Sequence, residues 1–210
     1  FLDPAFNAGF EFVNEDHIDD YFAVKIGINI YKHCYLNDFS VSVAPYAPVT
    51  LSANFTSLRP VSGVKILKDP SPYANQGFPI DPDDIIYGHT CSVSNMTEVV
   101  GSVQSEINYK KTFNRTPVYN IGSTAASSML LDSVESEMSI TSTGLENLIS
   151  ISGEKLASNV VVELDNVDGD SVVQFPSLTM AAGARVLAEG YNINGGDTLS
   201  TTATIKQIDL

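Results

Sequence analysis

The sequence predicts an all-β or strongly β-dominated fold, with about ten strands and at most one or two short helices. Three observations predict it. Apolar residues alternate with polar ones at period two in several segments, most strictly in FSVSV (39–43), which places Phe39, Val41 and Val43 on one face. Only 17% of the residues are charged, while Ser, Thr, Asn and Val are abundant, a mixture suited to sheets whose exposed faces carry Thr and Ser. Pro and Gly cluster between the alternating segments, where turns are needed.

Taken in order, residues 1–20 are acidic and irregular, with Glu11, Glu15, Asp16, Asp19 and Asp20 close together. They read either as a solvated entry segment or as an arm that packs on a neighbouring subunit. A single β domain then spans 21–210. YFAVKIGINIYKHCYL (21–36) is β-rich, FSVSV follows, Pro45 and Pro48 bracket a turn, and VTLSANFTSL (49–58) returns. Residues 59–84 hold Pro60, Pro70, Pro72, Pro79 and Pro82, too much proline for a central strand or a helix, so they form a long loop. Strand patterns resume at 85–93, 99–111 and 128–143, where Val134, Met138 and Ile140 come close to alternation. GLENLIS (144–150) is the one helical stretch. Segments 159–167, 171–180, 184–193 and 198–208 complete the strands. FSVSVAPYAPVTLSANF (39–55) and PSLTMAAGARVLAEGY (176–191) echo each other as strand, Ala-centred turn and returning strand.

The 43% apolar content is that of a folded protein, and no run of eighteen apolar residues offers a membrane-spanning helix. Asp and Glu number 25 against 11 Lys and Arg, a net charge of −14. That balance opposes a tight grip on nucleic acid, which needs cations for the phosphates, but suits a wall past which nucleic acid slides. Cys34 and Cys91 read as buried free thiols, with a disulfide as the alternative. Zinc is disfavoured, because His33 and Cys34 are adjacent on a strand and point to opposite faces.

Catalytic signatures are missing: no G-x-S-x-G elbow, Walker loop, H-E-x-x-H or C-x-x-C occurs, and the three histidines lie near no evident nucleophile. The expectation is a protein that is not an enzyme and takes no cofactor or metal. DNVDGD (165–170) resembles a calcium loop but lacks the closing Glu, and Asp-Gly is a common hairpin turn. DPDD (81–84) also reads as a turn, and the sequons at Asn54, Asn95 and Asn114 are expected by chance in an Asn- and Thr-rich chain. Trp is absent and the aromatic residues are scattered along the chain, which weakens a sugar-binding reading.

NYKKTFNRTPVYNIGST (108–124) stands out, because it places Lys110, Lys111 and Arg115 together in so acidic a chain. The longer segment EINYKKTFNRTPVYNIGSTAASSMLLDSVESEMSITS (106–142) resembles the centre of the tail tube proteins of long-tailed bacteriophages. In that family a strand ending in polar residues is followed by Arg-x-Pro-apolar-Tyr-x-apolar-Gly-Ser and an alternating strand. Arg115, Pro117, Val118, Tyr119, Ile121, Gly122 and Ser123 occupy the pattern here. FPSLTMAAGARVLAEGYNI (175–193) resembles the family's closing hairpin. The resemblance covers 100–143 and 170–208 and leaves the first hundred residues aside.

The resemblance implies a tail-tube-like sandwich or barrel of two packed antiparallel sheets with one short flanking helix. It implies a virion structural protein that is assembled in the host cytoplasm. Its partners would be its own copies, in rings most often hexameric, and other tail proteins, and its stacked rings would let DNA pass without binding. Lys110, Lys111, Arg115, Pro117, Tyr119 and Gly122 would then lie at the subunit interface, with Pro117 and Gly122 shaping the turn that aims the three cations. Two alternatives are another virion ring, at the tail tip, baseplate or neck, and a secreted β-sandwich binding or adhesin module.

Overall fold

The computed structural model describes residues 22–26, 29–59, 86–94, 104–143, 155–164, 177–192 and 200–209. The expected N-terminal arm, most of the Pro-rich loop, the acidic turns at 81–84 and 165–170 and the helix at 144–150 lie outside these residues.

The described chain is all-β. Its strands are β1 (Phe22–Ile26), β2 (Asn29–Val43), β3 (Thr50–Arg59), β4 (Ser92–Ser94), β5 (Gln104–Tyr119), β6 (Ala126–Thr143), β7 (Val160–Glu163), β8 (Leu178–Met180), β9 (Arg185–Asn192) and β10 (Ser200–Asp209). All pairings are antiparallel. The larger sheet runs β3–β2–β5–β6–β10–β9 across its width. β1 lies along the start of β2 on the side that β5 takes over further on, since β1 pairs with residues 29–34 and β5 with residues 38–43. The smaller sheet is β4–β7–β8. Among the described residues the large sheet is open, with β3 and β9 at its edges, so the architecture is a sandwich and not a closed barrel.

Alternation builds the core. Phe39, Val41 and Val43 of β2 are buried, and so are Ile107, Tyr109 and Phe113 of β5 and Val134, Met138 and Ile140 of β6. Ala203 and Ile205 of β10 and Val186 of β9 extend the same face. Val160 and Val162 of β7 and Leu178 and Met180 of β8 close over it in one cluster. Met138 pairs with Ile205 and Ile140 with Ala203. All four are fully buried at the centre. Cys34 and Cys91 are free thiols, the first buried and the second half-buried.

Three segments depart from the sequence reading. β8 and β9 do not form a hairpin: β8 pairs with β7 in the small sheet and β9 with β10 in the large one. The turn between them, with Ala184 N–H donating to Ala181 O at 3.1 Å and Gly183 at φ 92°, crosses from one sheet to the other. The echo with 39–55 is therefore one of sequence, not of pairing. β5 continues through the Arg-Thr-Pro passage to Tyr119, where a strand ending at 111 was expected. Pro117 is tolerated because, among the described residues, β5 has a neighbour on one side only at that point.

The third departure is at 86–91, which is a clamp on the β2–β3 turn rather than a strand. Val49 N–H donates to Ile86 O at 2.8 Å, and Gly88 N–H to Ala47 O at 3.0 Å. A Cβ on Gly88 would stand 2.1 Å from the Ala44 carbonyl oxygen, so the two backbones touch where only glycine fits. Gly88→Ala is expected to destabilise the fold by about 1–3 kcal/mol in urea unfolding, because a backbone rather than a side-chain end must move.

The clamped turn holds Tyr46 at φ 59°, with Ala47 N–H donating to Ala44 O at 3.2 Å. The left-handed conformation costs a bulky L-residue about 1–2 kcal/mol, and the Tyr46 stack on His89 returns about 0.5–1.5 kcal/mol. At this position the backbone cost and the gain from the stack roughly cancel.

Candidate functional site

β5 and β6 form one long hairpin whose two halves differ. From Gln104 to Phe113 and from Val134 to Thr143 it lies inside the large sheet. Pairing of β5 with β2 ends at Asp38↔Thr112, and pairing of β6 with β10 ends at Asp209↔Val134. Beyond those points, among the described residues, the two strands pair only with each other, and six residue steps from Phe113 to Tyr119 carry this hairpin arm about 20 Å further.

Local sequence explains the arm. β-bulges between Asn114 and Arg115 and between Val118 and Tyr119 raise the twist of a two-stranded ribbon. The tip is a turn in which Ser123 N–H donates to Asn120 O at 3.0 Å, with Gly122 at φ 86° in the position that needs a left-handed residue. Thr116 Oγ1 donates to Asp132 Oδ2 at 2.5 Å, and Ser127 Oγ donates to Val118 O at 3.0 Å, holding the strands in register. Leu131 still packs against the core.

Past Leu131 the apolar side chains have no core to enter. Tyr119 is 58% exposed, Leu130 59%, and Ile121 fully exposed at the tip. Val118 is exposed as well. Among the described residues, the other exposed large apolar side chains are Tyr46, Leu187 and Ile208, so the arm carries most of them. From Thr116 to Leu131 the sequence has no Asp, Glu, Lys or Arg.

The three sequence-derived cations fall in two places, Lys110 on one face and Lys111 and Arg115 about the Phe113 ring. Lys110 is exposed on the outer face of the sheet, where it pairs in register with Glu137 and lines a shallow depression with Glu135, Lys206 and Ile208. Lys206 Nζ meets Glu137 Oε2 there at 2.7 Å, and that hydrogen bond and charge hold the ammonium above its ordinary pKa. Lys111 takes the opposite face, as the next residue on a strand must, with its Nζ 6.0 Å from the centre of the Phe113 ring. Arg115 lies at the root of the arm. Its Nε–H donates to Leu36 O at 3.3 Å, and its guanidinium sits 5.4 Å from the Tyr35 ring and 5.9 Å from Phe113. Arg115 therefore latches the arm to β2 from within the chain, filling the gap where β2 and β5 part.

Pro117, Tyr119 and Gly122 do lie together on the arm. Val118, Ile121 and Leu130 are the members that a search for charged contacts passes over; the uncharged run itself is the signal that finds them.

No family model matches the chain. No curated protein matches it at a significant level either. Among the described residues no three His, Cys, Asp or Glu side chains converge as a metal site, and no helix is long and apolar enough to cross a membrane. What the arrangement can do chemically is bury apolar surface against another macromolecule.

Proposed function

We propose that the chain is a self-assembling structural subunit, of the kind found in the stacked rings of a bacteriophage tail tube. The observation that carries this reading is the hairpin arm. In a chain of net charge −14, copies repel one another at range, and an uncharged apolar projection is the element that can enter a neighbour without adding to that repulsion. The resemblance over 100–143 and 170–208 supports the same reading, and a sheet that is open at β3 and β9 among the described residues leaves strands for a neighbour to cover. A tube built from such subunits has acidic walls, past which DNA moves without sticking.

In this account the arm, rather than a basic cluster, supplies the contact between copies. Arg115 sets the direction of the arm, and Lys110 belongs to the outer face of the sheet. Negative-stain microscopy of the purified protein tests the proposal. Rings or tubes with a lumen are expected. Dispersed monomers whose melting temperature rises with calcium would favour the binding-module alternative instead.

A further inference from the structure

Three aromatic rings from two separate segments, 44–49 and 86–91, meet at one point on the surface. Tyr46 and His89 stack with ring centres 5.6 Å apart and an interplanar angle of 23°. Tyr87 lies 5.7 Å from His89 at 37°. Tyr46 is 86% exposed. The sequence reading found the aromatic residues scattered; the clamp of 86–91 on the β2–β3 turn gathers these three.

We propose that Tyr46, His89 and Tyr87 form a binding platform for a neutral saccharide. The inference is independent of the assembly reading. The gain from the Tyr46 stack only offsets the backbone cost at this position, which suits Asn or Gly better, so folding alone does not account for an exposed Tyr here. The support beneath it is rigid, with Gly88 against the Ala44 carbonyl and Thr90 Oγ1 donating to Tyr87 O at 2.8 Å.

The chemistry of the site selects the ligand. Neither 44–49 nor 86–91 contains an Asp, Glu, Lys or Arg, and the overall charge repels anions, which removes phosphorylated and sulfated ligands. A cation would find one open ring face and no carboxylate in either segment, which holds it only weakly. A proline-rich peptide would need a groove between aromatic ridges, and the rings leave no gap for one. A hexose presents an apolar C–H face for the open ring of Tyr46 and hydroxyls for the Tyr46 O–H.

The test uses the whole chain on an array of neutral gluco-, galacto-, manno- and N-acetylglucosamine oligosaccharides, together with one proline-rich and one cationic peptide. The best glycan is then titrated by calorimetry against the parent, Tyr46→Asn and Tyr46→Phe. A neutral glycan is expected to bind the parent and Tyr46→Phe within a few-fold, and Tyr46→Asn about tenfold or more weakly. Tyr46→Asn should melt with the parent and assemble as it does. No glycan retained by the parent, equal binding by Tyr46→Asn, or Tyr46-dependent binding of a peptide alone would overturn the proposal. Loss of assembly in Tyr46→Asn would overturn it too, by making the platform a contact between copies.

Discussion

Tyr119→Asp with Ile121→Asp is expected to turn the assembling protein into a monomer that melts where the parent melts. Both side chains are exposed in the single chain, Tyr119 at 58% and Ile121 completely, so folding loses little, within about 0.5 kcal/mol for each surface change. Between copies the effect is large. A fully buried apolar side chain contributes about 1.5–3 kcal/mol, and two at every boundary correspond to roughly two to four decades of affinity. Two carboxylates brought to the same place would also have to be desolvated beside an acidic neighbour. Sedimentation velocity on parent and variant gives the answer. A double variant that sediments like the parent would remove the arm from the contact.

Met138→Ala should be among the most damaging single changes to the fold, at about 2–5 kcal/mol. Met138 is fully buried, pairs with Ile205 of β10, and lies in the cluster that includes Val160, Val162, Leu178 and Met180 of the smaller sheet. Truncating it opens a cavity at the seam of the sandwich, and both sheets lose contacts. Urea unfolding at constant slope measures the loss. A cost below about 1 kcal/mol would mean that the two sheets do not share this core.

Much of this architecture was legible in the sequence because it depends on period two. Phe39, Val41 and Val43, and Val134, Met138 and Ile140, declare their buried face by spacing alone. Pairing across long intervals was not legible. That β8 and β9 belong to different sheets depends on which strand each finds, and the turn between them looks like that of any hairpin. The gathering of Tyr46, Tyr87 and His89 is likewise set by the Gly88 clamp, a close approach of backbones that no local pattern announces.

The candidate site was half legible. Its location at 108–124 and its Gly122 turn follow from local chemistry. The grouping of Lys110, Lys111 and Arg115 follows from adjacency in the chain; strand geometry sets Lys110 apart from the other two, which share the Phe113 ring. Successive side chains take opposite faces, and Arg115 is drawn inward by the Leu36 carbonyl and two aromatic rings. A Pro inside the passage made a strand end look natural, although a ribbon with one neighbour accommodates Pro117.

Hydrogen exchange followed by mass spectrometry across protein concentration tests the central claim most directly. The claim is that copies meet through the hairpin arm. A two-stranded ribbon beyond its sheet opens readily in an isolated chain, so at high dilution peptides covering 116–131 should exchange fast. At assembling concentrations the same peptides should become protected, while the core peptides around Met138 and Ile205 stay protected throughout. Exchange in 116–131 that does not change with concentration, in a protein that nevertheless assembles, would contradict the account.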